Sequence, residues 1–571
     1  MKRSQQRRRI RTTTALGLAA LLSALCLGGC TETPITRAPE AAGDALEGWR
    51  QPLFQGLGGI TLPITTSSTK ARDYFNQGLQ LAFAFNHAAA DFAFTEATAY
   101  DPDCAMCYWG SALVLGPNVN APMDPGNAPR AFVLATRASN LAANGTTPWE
   151  RALIDALLAR YAPEAPEDRA PLDEAYADAM RDVFAEHPEN ATIAALTGEA
   201  LMDLHPWDFW DGDGTPRQWT TEITDTLEHA LQKNPDHAGA IHLYIHAVEQ
   251  SQTPERAEPY ADRLADLAPA AGHLVHMPAH IYMRVGRYHD STLNNMRATV
   301  ADDAFIAACR SNSPIYLAGY IPHNWHFGWV TAAMEGWKSK AYELAEGTAA
   351  RLTKDLLRAP GMAVAQQFLM QPTFARLRFS DWQALLDDPE PDEDLIYARG
   401  IWHYGRGRAY AARGDLAAAG IEHAALKTLM ADPAMVQLTF FNREGAMPLL
   451  AIADLALAGE LQAARGDLQA AQATLGEAVA KEDALPYTEP PEWFHPVRHT
   501  LGEVQLAAGK PGAAEVTYRE DLKIMPRNGW ALRGLVNALE AQGKHAEADA
   551  TRAAFEDAWQ HAEIEIEGSR I

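Results

Sequence analysis

The fold is decided by a stretch near the N-terminus, residues 78–102, with the sequence GLQLAFAFNHAAADFAFTEATAYDP. Its apolar residues recur at helical spacing around a short interruption, which predicts two helices joined by a turn. Small residues mark where the two helices touch, a large one fills the space between helix pairs, and a proline stops the second helix. In that order of position, the residues concerned are Gly78, Ala90, Phe94, Ala97 and Pro102.

The same spacing returns near the C-terminus, at Leu501, Gly502, Ala514, Tyr518 and Pro526. Weaker copies begin at Ala105, Gly400, near Gly459 and at Gly529. The pattern resembles the tetratricopeptide repeat, a 34-residue helix-turn-helix unit. One such unit cannot bury its apolar face alone, so neighbouring units must stack. The resemblance therefore implies an all-α fold, a superhelical solenoid of stacked helical hairpins.

The first residues have the features of an export signal. Residues 1–29 carry six basic and no acidic residues, and an apolar run from Ala15 to Leu27 is too short to span a bilayer comfortably. The run ends in Leu-Gly-Gly before Cys30, which resembles the lipobox of bacterial lipoproteins. The resemblance implies cleavage before Cys30 and lipidation of its sulfur, and the alternative is an uncleaved helical anchor. We expect a cell-envelope protein on the extracytoplasmic, periplasmic face, attached to the membrane through its lipid only.

Composition and hydrophobic periodicity divide the remaining chain. Residues following the signal are rich in Thr, Pro, Ala and Gly and predict a flexible tether, and helical periodicity continues from there to the end. The predicted segments are a signal peptide at 1–29, a tether at 30–65, N-terminal repeats at 66–190, histidine-rich central repeats at 191–336 and C-terminal repeats at 337–571.

The net charge bears on the choice of binding partner, and the cysteines bear on disulfide and metal chemistry. A net charge of −25 repels phosphate backbones, so we expect no nucleic-acid partner. Cys104 and Cys107 form a single C-x-x-C, which without a second pair favours a local disulfide or two packed thiols over a metal or redox site.

Histidines are concentrated in the central repeats. His242, His246 and Glu249 are spaced i, i+4, i+7 and share one face of a predicted helix. The next repeat carries His276 and His280 with the same four-residue step.

A third repeat carries His326, with His323 one turn before it. In a repeat alignment His242, His276 and His326 take equivalent positions on three first helices, and His273 matches His323. In tetratricopeptide repeats these positions face the concave groove, so the resemblance implies that the side chains converge there.

The preceding first helix, 191–204, adds further groove residues on the corresponding face. These are Glu199 and Asp203, with His205 at the end of the helix. Residues 205–215 are predicted to form an inserted loop before the second helix at 217–233.

Three functions are compatible with this pattern. Histidines at i, i+4 together with ligands from a neighbouring helix can bind zinc, copper, iron or nickel, and the identity of the metal is open. Alternatively, a metal-free groove walled by Trp325 and Trp329 binds a protein, a peptide or a small molecule. In the third, the histidines only hydrogen-bond across packed helices.

Catalysis is left open by the sequence. A metal with open positions could make the protein a metalloenzyme acting on an extracytoplasmic small molecule. The first histidine of His242-x-x-x-His246 is not followed by Glu, so the metalloprotease H-E-x-x-H motif is absent.

Overall fold

The structure is a computed structural model that describes residues 50–143, 145–309, 315–440 and 445–570. Throughout these ranges the chain is an all-α solenoid of the tetratricopeptide type, and they contain no β-strand. The predicted signal peptide at 1–29 and the predicted lipidation site Cys30 lie outside the described residues.

The helices follow one another with short connections. The N-terminal helices are α1 Thr69–Phe83, α2 His87–Tyr100, α3 Ala105–Leu113, α4 Ala128–Ala142, α5 Pro148–Ala159, α6 Ala170–Glu186, α7 Ala191–Met202 and α8 Thr220–Lys233. The central group comprises α9 Ala238–Val248, α10 Glu258–Leu267, α11 Gly272–His276, α12 Pro278–Val285, α13 Tyr288–Ala308, α14 Ile321–Met334 and α15 Lys338–Ala350. The last group comprises α16 Val364–Leu369, α17 Gln371–Arg378, α18 Trp382–Asp387, α19 Ile396–Ala412, α20 Leu416–Met430, α21 Ala446–Ala464, α22 Leu468–Asp483, α23 Val497–Ala507, α24 Pro511–Ile524, α25 Gly529–Ala541 and α26 His545–Ala558.

Small and large residues interlock between helices as the repeat pattern predicts. The Phe94 ring of α2 lies against Gly78 of α1 and Gly110 of α3, where an added Cβ would come within 2.7 and 2.3 Å of the ring. Near the other end Tyr518 takes the same place between Gly502 and Gly534. Because interiors are close-packed, these glycines let three successive helices approach one aromatic ring.

The Phe94 contact gives a stability prediction. Gly110→Ala is expected to lower the free energy of unfolding by about 1–3 kcal/mol, because the new methyl group overpacks the ring. Gly420→Ala is the matched control, since its Cβ would meet nothing within 4 Å. Denaturant unfolding should show no loss for the control, and an equal loss in both variants would contradict the packing argument.

The predicted tether at 30–65 is too long. Residues 50–65 lack a helix but pack against the helical body, with Gln51, Leu57, Ile60 and Leu62 buried. The composition of this stretch resembles a linker, yet its alternating apolar side chains have a hydrophobic surface to cover. Only the part before residue 50, which is outside the described residues, remains a predicted tether.

A proline divides the first helix of the second histidine-bearing repeat. Pro278 cannot donate a backbone hydrogen bond, and the helix is split into α11 and α12 around Met277. In the repeat whose first helix was predicted at 191–204, the second helix begins at Thr220 rather than at the predicted residue 217.

Two further features bear on the sequence predictions. The Sγ atoms of Cys104 and Cys107 are joined in a disulfide at the start of α3. Among the described helices, α21 is long and apolar enough to cross a membrane, but half of it is buried inside the helical body. That burial is what a core helix of a solenoid requires.

Candidate metal centre

Four helices bring the histidines of the central repeats together. Helix α9 supplies two of them, α11 two, α12 one and α14 two. They are His242 and His246, His273 and His276, His280, and His323 and His326. Except for the half-buried His323, all are buried.

The first group consists of His242, His246 and His273. One ring nitrogen from each lies within 4.8 Å of the others, and the Nε2 atoms of His242 and His273 are 3.1 Å apart. Their exposure is at most 3%, so the group is closed to bulk water.

The second group consists of His276, His280 and His323, again with ligand atoms within 4.8 Å of one another. Nε2 of His276 lies 2.8 Å from Nε2 of His280, and the rings of His276 and His323 are 4.9 Å apart. Two nitrogens bound to one ion at about 2.0–2.1 Å lie about 3.3 Å apart in tetrahedral and about 2.9 Å apart in octahedral coordination. The close nitrogen pair in each group is thus near ligand spacing.

Carboxylates lie between and beside the two groups. Glu249 approaches His246 Nδ1 at 3.5 Å with one oxygen and His280 Nδ1 at 2.6 Å with the other. These three residues form a third set with metal-ligand spacing. Glu489 adds a second carboxylate, 3.4 Å from His280 Nδ1. Glu489 is more than 200 residues from His280 along the chain, so no local spacing in the sequence indicates this contact.

Hydrogen bonds fix which nitrogen of two rings is available. Nδ1 of His242 donates to the backbone carbonyl of Phe83 at 2.6 Å. A carbonyl only accepts, so Nδ1 carries the hydrogen and Nε2 presents its lone pair to the group. Gly239 permits this contact, because a Cβ there would come within 2.4 Å of the Phe83 ring.

His276 is held in the same way. Its Nδ1 donates to Oδ1 of Asn295 at 2.7 Å, and the Asn295 amide is oriented by donating to the Ser291 carbonyl. Metal-binding histidines characteristically donate their second ring nitrogen to such an acceptor. Both rings therefore have the outer contacts of metal ligands.

Other ring nitrogens in the first group lack partners. Nε2 of His246 and Nδ1 of His273 have no hydrogen-bond partner within the described part of the chain. A buried polar atom without a partner costs about 1–3 kcal/mol. Because Nδ1 of His246 faces the Glu249 carboxylate, its Nε2 presents a lone pair, and a bound metal ion that accepts this lone pair would offset that cost.

The electrostatics keep most of the imidazoles neutral. Burial, with repulsion between the rings, lowers the pKa of five of them well below 6.5, namely His242, His246, His273, His276 and His323. Burial also acts to lower the pKa of His280, but Glu249 and Glu489 outweigh it and raise this pKa to about 10. Neutral imidazole is the form that binds metal.

Aromatic rings enclose the first group. The Phe85 ring lies 4.4 Å from that of His242, and Trp207 and Tyr320 lie 5.0 and 4.8 Å from His246 and His273. Phe85 and Trp207 both have positive φ, 53° and 61°, which is uncommon for residues other than glycine. Backbone strain of this kind concentrates at functional sites.

His326 was predicted as a ligand and does not belong to any of these sets. It is buried between Phe368 and Phe494, with its ring 5.9 Å from that of His323, and burial lowers its pKa to about 3. Adjacent helices are offset by about one turn, so His276 meets His323 instead of its repeat equivalent.

Glu199 and Asp203, predicted as groove residues rather than as ligands, are not members of these ligand sets. Asp203 forms a buried ion pair with Arg160 at 2.6 Å. Burial and the neighbouring Asp203 raise the pKa of Glu199 to about 8. His205 stacks on Trp219 at 3.7 Å and is likewise separate.

No protein-family model matches the chain, and no curated protein matches it. Among solved structures the human IFIT1 dimer with m7Gppp-AAAA is similar, at 12% identity and TM-score 0.32, over 87% of this chain and 91% of that one. Yeast Tom70 is similar at 11% identity and TM-score 0.27, over 84% and 90%. Naa15/Naa10 bound to HypK-THB gives 12% identity and TM-score 0.23, over 86% and 89%. At such values the likeness carries no argument about function.

Proposed function

We propose that this protein is an exported, lipid-anchored solenoid that binds a transition metal in the histidine centre of its central repeats. The observation that carries the proposal is the pair of close Nε2 contacts, 3.1 Å between His242 and His273 and 2.8 Å between His276 and His280. In His242 and His276 the Nδ1 hydrogen is donated to an acceptor, so each Nε2 presents a lone pair that a metal ion shared with the facing ring can accept.

Burial favours this function over a metal-free groove. The ring groups are largely inaccessible, and Trp329, one of the expected groove walls, is 1% exposed and donates to Gln371. Trp325 packs beneath the Arg351 guanidinium. Side chains this enclosed offer little surface to a peptide, whereas a single ion fits among them.

A purely structural role for the histidines explains fewer of these contacts than metal binding does. A protonated His280 can donate to His276, which accounts for that contact without a metal. It leaves Nε2 of His246 without a partner among the described residues. Imidazole with carboxylate suits zinc, copper, iron or nickel, and we propose an ion of this class.

Metal analysis tests the proposal. The purified chain, loaded with zinc or copper and dialysed, is expected to retain metal at one ion or more per chain. His242→Ala/His276→Ala should lose metal while keeping its helical circular dichroism. His205→Ala is the matched control and should keep its metal, because His205 lies outside the ligand sets. If the wild-type chain retained no metal under any loading condition, the proposed metal-binding function would be refuted.

The location is tested separately. Expressed in bacteria with its own N-terminus, the chain is expected to be acylated and to partition into the detergent phase. The Cys30→Ser variant should not be acylated and should stay in the aqueous phase. Detergent partitioning that survives Cys30→Ser would instead favour the uncleaved helical anchor.

A further inference from the structure

The histidine groups divide into two complete sets that share no residue. One is His242, His246 and His273, and the other is His276, His280 and His323. Three imidazoles on one ion make a familiar set that leaves a coordination position open. We propose, building on the metal-binding function above, that the centre holds two transition-metal ions, one in each three-histidine set.

The six rings do not make up one ligand set. Ligand nitrogens lie about 2.0–2.1 Å from a bound zinc, so all six nitrogens would have to lie within about 4.2 Å of one another to bind a single ion. Among the described residues, the ligand atoms that lie within 4.8 Å of one another form sets of three. The ring centres of His246 and His280 are 5.5 Å apart and those of His273 and His276 are 5.9 Å apart, so the two sets are neighbours, as in a two-metal site.

The outer contacts are also duplicated. Each set has one histidine whose Nδ1 is anchored, His242 on the Phe83 carbonyl and His276 on Asn295. Each set also draws on more than one helix, the first on α9 and α11 and the second on α11, α12 and α14. The i, i+4 pairs His242/His246 and His276/His280 thus provide two ligands each, and a ring from the next helix completes each set.

Glu249 is the group between the two ions. One of its oxygens faces His246 of the first set and the other faces His280 of the second. With Glu489 it places two buried carboxyl groups beside the six rings. Two divalent ions would bring four positive charges, so the pair is expected to take an additional anionic ligand such as hydroxide at the open positions.

A competing arrangement is a single ion bound by His246, Glu249 and His280, which also have ligand spacing. It uses one histidine from each set and excludes both three-histidine sites. It makes His273 and His323 dispensable, whereas the two-ion arrangement requires both. The two arrangements therefore differ in stoichiometry and in the residues that matter.

The test is metal stoichiometry of the full chain, loaded with cobalt(II), freed of excess ion and measured by elemental analysis. We expect two ions per chain in the wild type and one ion in both His242→Ala/His273→Ala and His276→Ala/His323→Ala. His326→Ala, a buried histidine outside the sets, is the matched control and should retain two. Circular dichroism checks folding, and the His→Asn versions of each pair replace any variant that does not fold.

The outcomes separate the two proposals. One ion per chain, lost with Glu249→Gln and retained in His273→Ala and His323→Ala, would overturn the two-ion inference and leave metal binding intact. No bound ion would overturn both. Two ions that persist unchanged in the paired variants would place the metal elsewhere and refute the assignment to these sets.

Discussion

Saturation with zinc or copper is expected to raise the free energy of unfolding by about 4 kcal/mol for each occupied site when free metal exceeds the dissociation constant a thousandfold. The reason is that four helices, α9, α11, α12 and α14, contribute ligands that are brought together only in the folded chain. Thermal unfolding with loaded metal and with excess chelator measures the difference.

The variants decide whether the gain arises at the centre. His242→Ala/His276→Ala should unfold at the same temperature with and without metal. His205→Ala, whose ring stacks on Trp219 away from the ligand sets, should keep the full gain. An equal gain in the double variant would mean that neither His242 nor His276 binds the metal.

Asp203→Ala is expected to destabilise the chain by about 3–5 kcal/mol, because it leaves the Arg160 guanidinium buried without its closest partner. The side chains of Arg160 and Asp203 are 3% and 1% exposed, and the remaining carboxylate near Arg160, Asp173, lies 3.5 Å away. Chemical denaturation measures the loss. Metal content should not change, because Asp203 belongs to no ligand set.

Asp178→Ala is the matched control for the ion pair. Asp178 pairs with Arg181 but is 76% exposed, and such pairs contribute about 1 kcal/mol or less. Replacing both buried partners, as in Arg160→Met/Asp203→Leu, should recover much of the loss. A loss as small as that of Asp178→Ala would contradict the assignment of Asp203 as a buried structural partner.

Local spacing was enough to predict the fold. The small residue at Gly78 and the ring at Phe94 are separated by a fixed number of residues within one hairpin, and their contact follows from that spacing. The segment at 50–65 was missed because its burial depends on surface provided by later helices. Ala270 donates its backbone N–H to the Gly56 carbonyl, for example, a contact that no local pattern contains.

For the histidines too, local spacing predicted some contacts, and tertiary packing decided the others. Four-residue spacing correctly predicted that His242 and His246, and likewise His276 and His280, share a face. The stagger between helices is set by packing, and it brought His323 rather than His326 to His276. The carboxylate of Glu489 and the ring of Phe85 reach the centre through tertiary folding alone, so neither could be inferred from spacing.

Anomalous X-ray diffraction from crystals of the metal-loaded chain tests the central claim most directly. Data collected on either side of the absorption edge of the loaded metal locate every bound ion without reference to the protein chemistry. We expect anomalous peaks among the six rings of the two ligand sets, which are those of His242, His246, His273, His276, His280 and His323. Loaded crystals with no peak there, or with peaks only at surface side chains, would contradict it.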